Sequence, residues 1–381
     1  MRNVVRALIL LYFVICFALL GYAQSEKTSN KYVVSDIAPL KKVIILPPGQ
    51  DFARQSYYHY TDRESFLFFY EDGIICQHKK MVKILAENGV EVLNIIDLLE
   101  NAISNARRAG KLEQSLAGIF PRHFPRLKDK MDKFDAFSFL GRGDAFFYHY
   151  DEVGRFVPLI PPSSELFYTR DFAATTPKGV IITNSKVKMR RYEHSIGRFM
   201  FNFADALKDY RIAFDAEKEG VRCEGGDIIV KDENTILMGI NNFSDAEAGR
   251  KMAVKLDMDV IGVAMPPFKD FSGTNVEIMH LDTVFNLVDK DKALTVPYIF
   301  QKKYAKDNPI VKLFKGINER FKAEREKRQE ELDFSTSLEK AIKYIPQVGW
   351  LTLYKKGSGE AVKLNKKLVD YLVEYKQRLF L

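Results

Sequence analysis

A β-branched run, Lys42-Val43-Ile44-Ile45-Leu46, stops at Pro47-Pro48-Gly49, and a second, Val90 to Ile96, starts directly after Asn88-Gly89. Between them Ile75, Met81, Val82, Ile84 and Leu85 recur at helical spacing over Ile74 to Asn88, and Asn-Gly is a C-terminal stop. Strand, helix, stop and strand in that order require an α/β unit, a sheet covered by helices.

The same grammar returns downstream. Leu98 to Asp135 has helical spacing broken by Pro121 and Pro125 and reads as a helical insertion. Strands resume from about Val157, then over Val180 to Asn184, Asp227 to Val230, Thr235 to Gly239, Val254 to Leu256, Val260 to Val263 and Ala293 to Ile299. Lys231 to Asn234 is expected to close a hairpin. Glu319 to Glu331, dense in both charge signs, reads as a solvated helix, and Leu364, Leu368, Leu372 and Leu379 as one face of a terminal amphipathic helix.

Arg2 and Arg6, the apolar run Ala7 to Leu20 and the small residues around Ala23 make residues 1–23 a secretory signal, with an uncleaved anchor as the alternative. The expectation is an exported protein, periplasmic or extracellular, without stable membrane insertion after cleavage. Residues 24–34 are expected to be a flexible tail and 35–381 one domain. After cleavage Cys76 and Cys223 remain, too few for a disulfide framework, and either one bridge or simple burial would account for them. Lys and Arg number 58 against 50 Asp and Glu, a net +8 without a basic stripe, so nucleic acid is not an expected partner. The histidines have no companion at zinc spacing, so the expected chemistry needs no metal or other cofactor.

Three polar clusters carry the chemistry: Phe167-Tyr168-Thr169-Arg170-Asp171, Glu224-Gly225-Gly226-Asp227 and His280-Leu281-Asp282-Thr283-Val284-Phe285. A carboxylate such as Asp171 can take two parallel hydrogen bonds from a planar guanidinium, although pairing with Arg170 or capping a turn explains it as well. Two glycines let a backbone approach a ligand closely or adopt positive φ, and a plain turn would use them equally. On a strand His280 and Asp282 would share a face, bringing an imidazole for proton transfer beside a carboxylate.

Together the clusters resemble the arginine deiminase family of guanidino-group-modifying enzymes, in the family's order and at similar separations. The likeness extends from Ser35-Asp36-Ile37, through Glu87-Asn88-Gly89-Val90-Glu91-Val92-Leu93 and Arg190-Arg191 ahead of Glu193, to about Ile299. It implies a five-bladed α/β propeller of ββαβ units around a central pocket. It also implies that Asp171 and Asp282 hold a substrate guanidinium, that His280 steered by Glu224 moves protons, and that Arg190 binds the substrate carboxylate. Tyr168 and Asp227 fall with the substrate-binding side chains. The implied reaction converts arginine or a similar small guanidine to a ureido product and ammonia through a cysteine-linked amidino intermediate; a homo-oligomer is compatible with it.

The departures are specific. Glu165 stands where the family has Asn, and Asn241-Asn242-Phe243 supplies no second substrate-binding Arg. The family's nucleophilic cysteine lies in a glycine-rich loop near its C-terminus, whereas here no cysteine follows Cys223, which reads as structural. The expectations are therefore a hydrolase whose C-terminal part is missing or, alternatively, a relative that binds a guanidino ligand without turnover.

Overall fold

The computed structural model describes residues 33–49, 71–121, 124–142, 148–150, 152–154, 156–158, 160, 163–187, 190–265, 280–290, 292–296, 300, 347–374 and 378–380. The expected signal, most of the tail, and the charged run Glu319 to Glu331 lie outside the described residues.

Strand β1 (Lys42–Ile45), helix α1 (Glu71–Glu87) and β2 (Glu91–Asn94) follow the order read from the sequence. The strands pair in parallel, with Lys42 opposite Glu91. Gly89 ends α1 at φ +77°, a left-handed stop that glycine takes without a Cβ clash. The next helix, α2 (Ile95–Arg108), is capped by Asn94, whose side chain accepts from the Ile96 N–H at 3.0 Å, and carries Asp97 in its first turn and Arg107 and Arg108 in its last. All three features complement the helix dipole or its unpaired ends. Ile95, Leu98, Leu99, Ala102, Ile103 and Ala106 bury one stripe. Helix α3 (Leu112–Ile119) stops before Pro121, and the one-turn helices α4 (Phe124–Leu127) and α5 (Ala136–Phe139) complete the insertion.

After the short pair β3 (Tyr148–Tyr150) and β4 (Phe156–Pro158), two ββαβ units follow. In the first, β5 (Ala173–Thr176) and β6 (Gly179–Ile182) are antiparallel, and α6 (Arg191–Phe203) crosses over to β7 (Ile212–Asp215), parallel to β6. In the second, β8 (Ile228–Asp232) and β9 (Thr235–Ile240) form the expected hairpin, and α7 (Ala246–Lys255) crosses over to β10 (Asp259–Ala264), parallel to β9. The period-two alternation of the strands divides the core. Ile236 and Met238 join the cluster under α7, while Leu237 faces a second cluster with Leu281 and Phe285.

The chain then forms β11 (Phe285–Asp289), β12 (Lys292–Thr295), β13 (Trp350–Tyr354), β14 (Ala361–Lys367), α8 (Leu368–Glu374) and β15 (Arg378–Phe380). The described strands make five sheets, of two, five, three, two and three strands, and close into no barrel. The class is α/β with mixed sheets.

Three elements of the fold differ from the sequence reading: Ile95 and Ile96, expected to end the strand from Val90, open α2 instead, because the Asn94 side chain caps a helix there. Val254 and Lys255 end α7, with Leu256 buried as its cap, because the crossover needs its last turn there before β10 can start. The expected terminal helix is a strand, a seven-residue helix and another strand. Leucines four apart fit both a helix and every second pair of strand positions, and pairing with β13 draws Leu364 into β14.

Candidate active site

The three clusters meet through their glycines. Glu224 is in extended backbone, and Gly225–Asp227 form a 3-10 turn that feeds β8. A Cβ at Gly225 would lie 1.9 Å from the Arg170 carbonyl oxygen, and one at Gly226 would lie 2.9 Å from the His280 ring. Neither glycine has positive φ. Their bareness serves close packing of the chain against itself, bringing the Arg170-Asp171 turn and His280 onto one short stretch of backbone. Arg170 reinforces the junction. It donates to the Gly225 carbonyl at 3.2 Å and to that of Ile228, and its Nη2 pairs with Asp36 at 2.7 Å.

His280 is held at both ring nitrogens: Nε2 lies 3.3 Å from Glu224 and Nδ1 3.3 Å from Asp227. The Phe243 ring covers it edge-on at 5.5 Å. Burial opposes a charge here, but the hydrogen bond and charge of Asp227, then Glu224 and Asp171, outweigh it and raise the imidazole to about 9. At neutral pH it is an imidazolium held between two carboxylates. Glu224 is nearly enclosed, and burial raises its carboxyl above the usual range despite His280 and the Ser185 hydroxyl that donates to it. Ser185 is itself placed by its N–H, which donates to His194 Nε2 at 2.9 Å.

Asp227→Asn should lower the His280 titration midpoint from about 9 toward the ordinary ~6.5, read from imidazole proton shifts. An unchanged midpoint would mean that Asp227 does not hold the proton. The proton binds more tightly in the folded state, so its stabilisation is complete below pH ~6.5 and lost as pH rises through about 9. The difference is on the order of 3 kcal/mol.

Asp171 and Asp282 enter from 3-10 turns, Thr169–Asp171 and Leu281–Thr283. The expected strand under His280 and Asp282 begins only at Phe285, because the Asp227 carboxylate takes the Leu281 N–H at 3.0 Å and turns the chain there. Asp171 pairs with Arg190 Nη1 at 2.7 Å, and Arg170 turns away to Asp36. Asp282 is partly buried; its carbonyl accepts from the Asn286 side chain at 2.6 Å, but its carboxylate has no hydrogen-bond or ion-pair partner among the described residues. Burial raises its pKa, with His280 and Arg170 pulling the other way and Asp171 and Asp227 adding to the rise.

With this geometry established, residues 148–363 match the family model described as arginine deiminase. The chain belongs to the arginine deiminase family. It is 27% identical over 309 residues to the arginine deiminase of Streptococcus agalactiae serotype Ia, covering 72% of this chain and 71% of that one. It is 25% identical over 293 residues to that of Metamycoplasma arthritidis, covering 71% and 69%. Among solved structures it is similar to a mutant of DDAH from Pseudomonas aeruginosa complexed with citrulline, at 13% identity, 71% and 74% coverage and a TM-score of 0.38.

Two residues of this family member take places other than those expected. Asp227 is fully enclosed, and its oxygens accept from both Asn241 and Ser244 as well as from Leu281, so it braces His280 instead of facing a substrate. Arg190 does not offer its guanidinium outward. The side chain is 6% exposed and lies against Glu193 at 2.9 Å, Asp171 at 2.7 Å and Glu165 at 3.3 Å. Burial raises Glu193 to about 8, with Arg190 opposing and Glu165 and Asp171 adding.

Tyr168 is half exposed, stacked edge-on against Phe167 at 4.9 Å, its phenol raised by burial and by Glu165 and Asp171. Cys76 is exposed on α1 and Cys223 is buried, and neither forms a disulfide. Burial, then Asp227, push the Cys223 thiol far up, so it provides no thiolate. Asp36, Ser185, Glu193, His194, Asn241 and Ser244 were not read as site residues. Asp36 and Glu193 fell within the stretches of family likeness and Asn241 in the polar turn between β9 and α7, whereas Ser185, His194 and Ser244 carried no signal of their own.

Proposed function

We propose that the chain binds a small guanidine and hydrolyses its C–N bond to a ureido product and ammonia. One observation carries this reading: a half-buried carboxylate, Asp282, has no side-chain partner among the described residues and lies within electrostatic reach of Asp171 and His280. Burial of an unpaired carboxylate is costly, and a planar cation held between Asp171 and Asp282 would relieve that cost while receiving charge-assisted hydrogen bonds. His280 would then protonate the departing nitrogen and take a proton from the incoming water, with Glu224 and Asp227 fixing its ring. A five-bladed arrangement of the sheets around the pocket, and export directed by Ala7 to Leu20, belong to the same reading.

Family chemistry adds attack by a cysteine thiolate on the guanidinium carbon. A second reading, capture of a guanidine without turnover, is favoured by Cys223, the thiol adjoining Glu224, being sealed in the core. The test has two parts. Calorimetry with methylguanidine should give a measurable affinity that Asp282→Asn weakens about tenfold or more; equal affinities would reject the pocket. Ammonia and ureido product released from arginine, agmatine or an arginine peptide would support hydrolysis, and binding without release would support the second reading.

A further inference from the structure

Among the described residues, the two guanidiniums nearest Asp171 are already bound by the protein. Arg190, the guanidinium nearest Asp171, has its Nε against Glu193 and Glu165, its Nη1 on Asp171 and its Nη2 facing the Glu165 carbonyl at 3.4 Å. One positive charge thus meets three carboxylates. Even with Glu193 protonated, the group keeps an excess of one negative charge. Arg170 is likewise bound to Asp36 and to two carbonyls. Asn241, in the segment that lacks an arginine, uses its amide on both oxygens of Asp227.

A ligand carboxylate arriving here would need to displace Asp171 or Glu165 from Arg190 and would add a further like charge to a partly desolvated cluster. A ligand with a second cation, or a neutral far end, meets no such penalty. Resting on the guanidine-binding reading above, we infer that this pocket selects guanidines without a carboxylate, guanidino amines such as agmatine before free arginine, and that Glu165 sets the preference. Glu165 does so by adding a carboxylate beside Arg190, where a neutral side chain would remove one of the three negative charges around that guanidinium. Its own side chain is 27% exposed, so replacement disturbs little packing.

The experiment is calorimetric titration of the wild-type chain and Glu165→Gln at fixed ionic strength with methylguanidine, agmatine, arginine amide and arginine. Agmatine and arginine amide should each bind wild type about tenfold or more tightly than arginine, and Glu165→Gln should narrow the gap to about threefold by strengthening arginine. Arginine binding wild type as tightly as arginine amide would overturn the inference while leaving the guanidine pocket standing. A gap unchanged by Glu165→Gln would remove Glu165 as its cause. Failure of all four ligands, methylguanidine included, would overturn the pocket itself and the inference with it.

Discussion

Arg190→Met should lower the unfolding free energy by about 3–5 kcal/mol in urea titrations at neutral pH, with little change in slope. Methionine keeps the length of the side chain but not the charge that holds Glu193, Asp171 and Glu165 together. Glu193 is 2% exposed and cannot turn to water, so it must either bind a proton or remain as an uncompensated charge. Adding Glu193→Gln should therefore recover part of the loss, because the double variant removes the stranded group as well as its partner. Urea is the appropriate denaturant, since guanidinium would compete for the same carboxylates. A loss under ~1 kcal/mol would mean that Arg190 is not the cation holding this cluster.

That cluster shows what local sequence could not convey. Glu165, Asp171, Arg190 and Glu193 are individually ordinary acids and a base, and an arginine ahead of an acidic residue can serve a ligand or the protein equally. The choice depends on where α6 brings its first turn relative to the 3-10 turns Ser164–Phe167 and Thr169–Asp171 before β5. Asp36 and Arg170 are 134 residues apart, and no spacing rule connects them. His280 and Asp282 fail differently: alternation describes side-chain direction only if the segment is a strand, and the Leu281 N–H is taken by Asp227. By contrast, Glu224 beside His280 was legible, because one turn carried both acids that reach the imidazole, although the sequence assigned Asp227 to the substrate and left Glu224 as the only brace.

The fold was more legible where two signals agreed. Strands β8 and β9 have β-branched runs around a short polar turn and were read as a hairpin, whereas the start of α2 was missed because its cap, Asn94, lies inside a β-branched run. Where one signal stood alone it misled. Val254 is β-branched but exposed at the end of α7, and four-residue leucine spacing does not distinguish β14 followed by α8 from one helix.

Gly225→Ala should be disproportionately damaging for one methyl group. The new Cβ would lie 1.9 Å from the Arg170 carbonyl oxygen, 2.6 Å from its carbon and 3.0 Å from the Asp171 Cα. All three are backbone atoms, so no rotamer change relieves the overlap. The two turns must separate, which stretches the Arg170 bond to the Gly225 carbonyl and moves Asp171 away from His280. A loss of about 3 kcal/mol or more is expected, together with weakened methylguanidine binding in whatever fraction remains folded. Gly118→Ala in α3 supplies the contrast: nothing lies within 4 Å of its Cβ, and an exposed helical glycine gains about 0.5–1 kcal/mol on becoming alanine. Similar small changes at both positions would show that the turns have slack and that contact at Gly225 does not set the distance between Asp171 and the imidazole. Opposite signs would identify residue 225 as the point where the Arg170-Asp171 turn is held against the turn that follows Glu224.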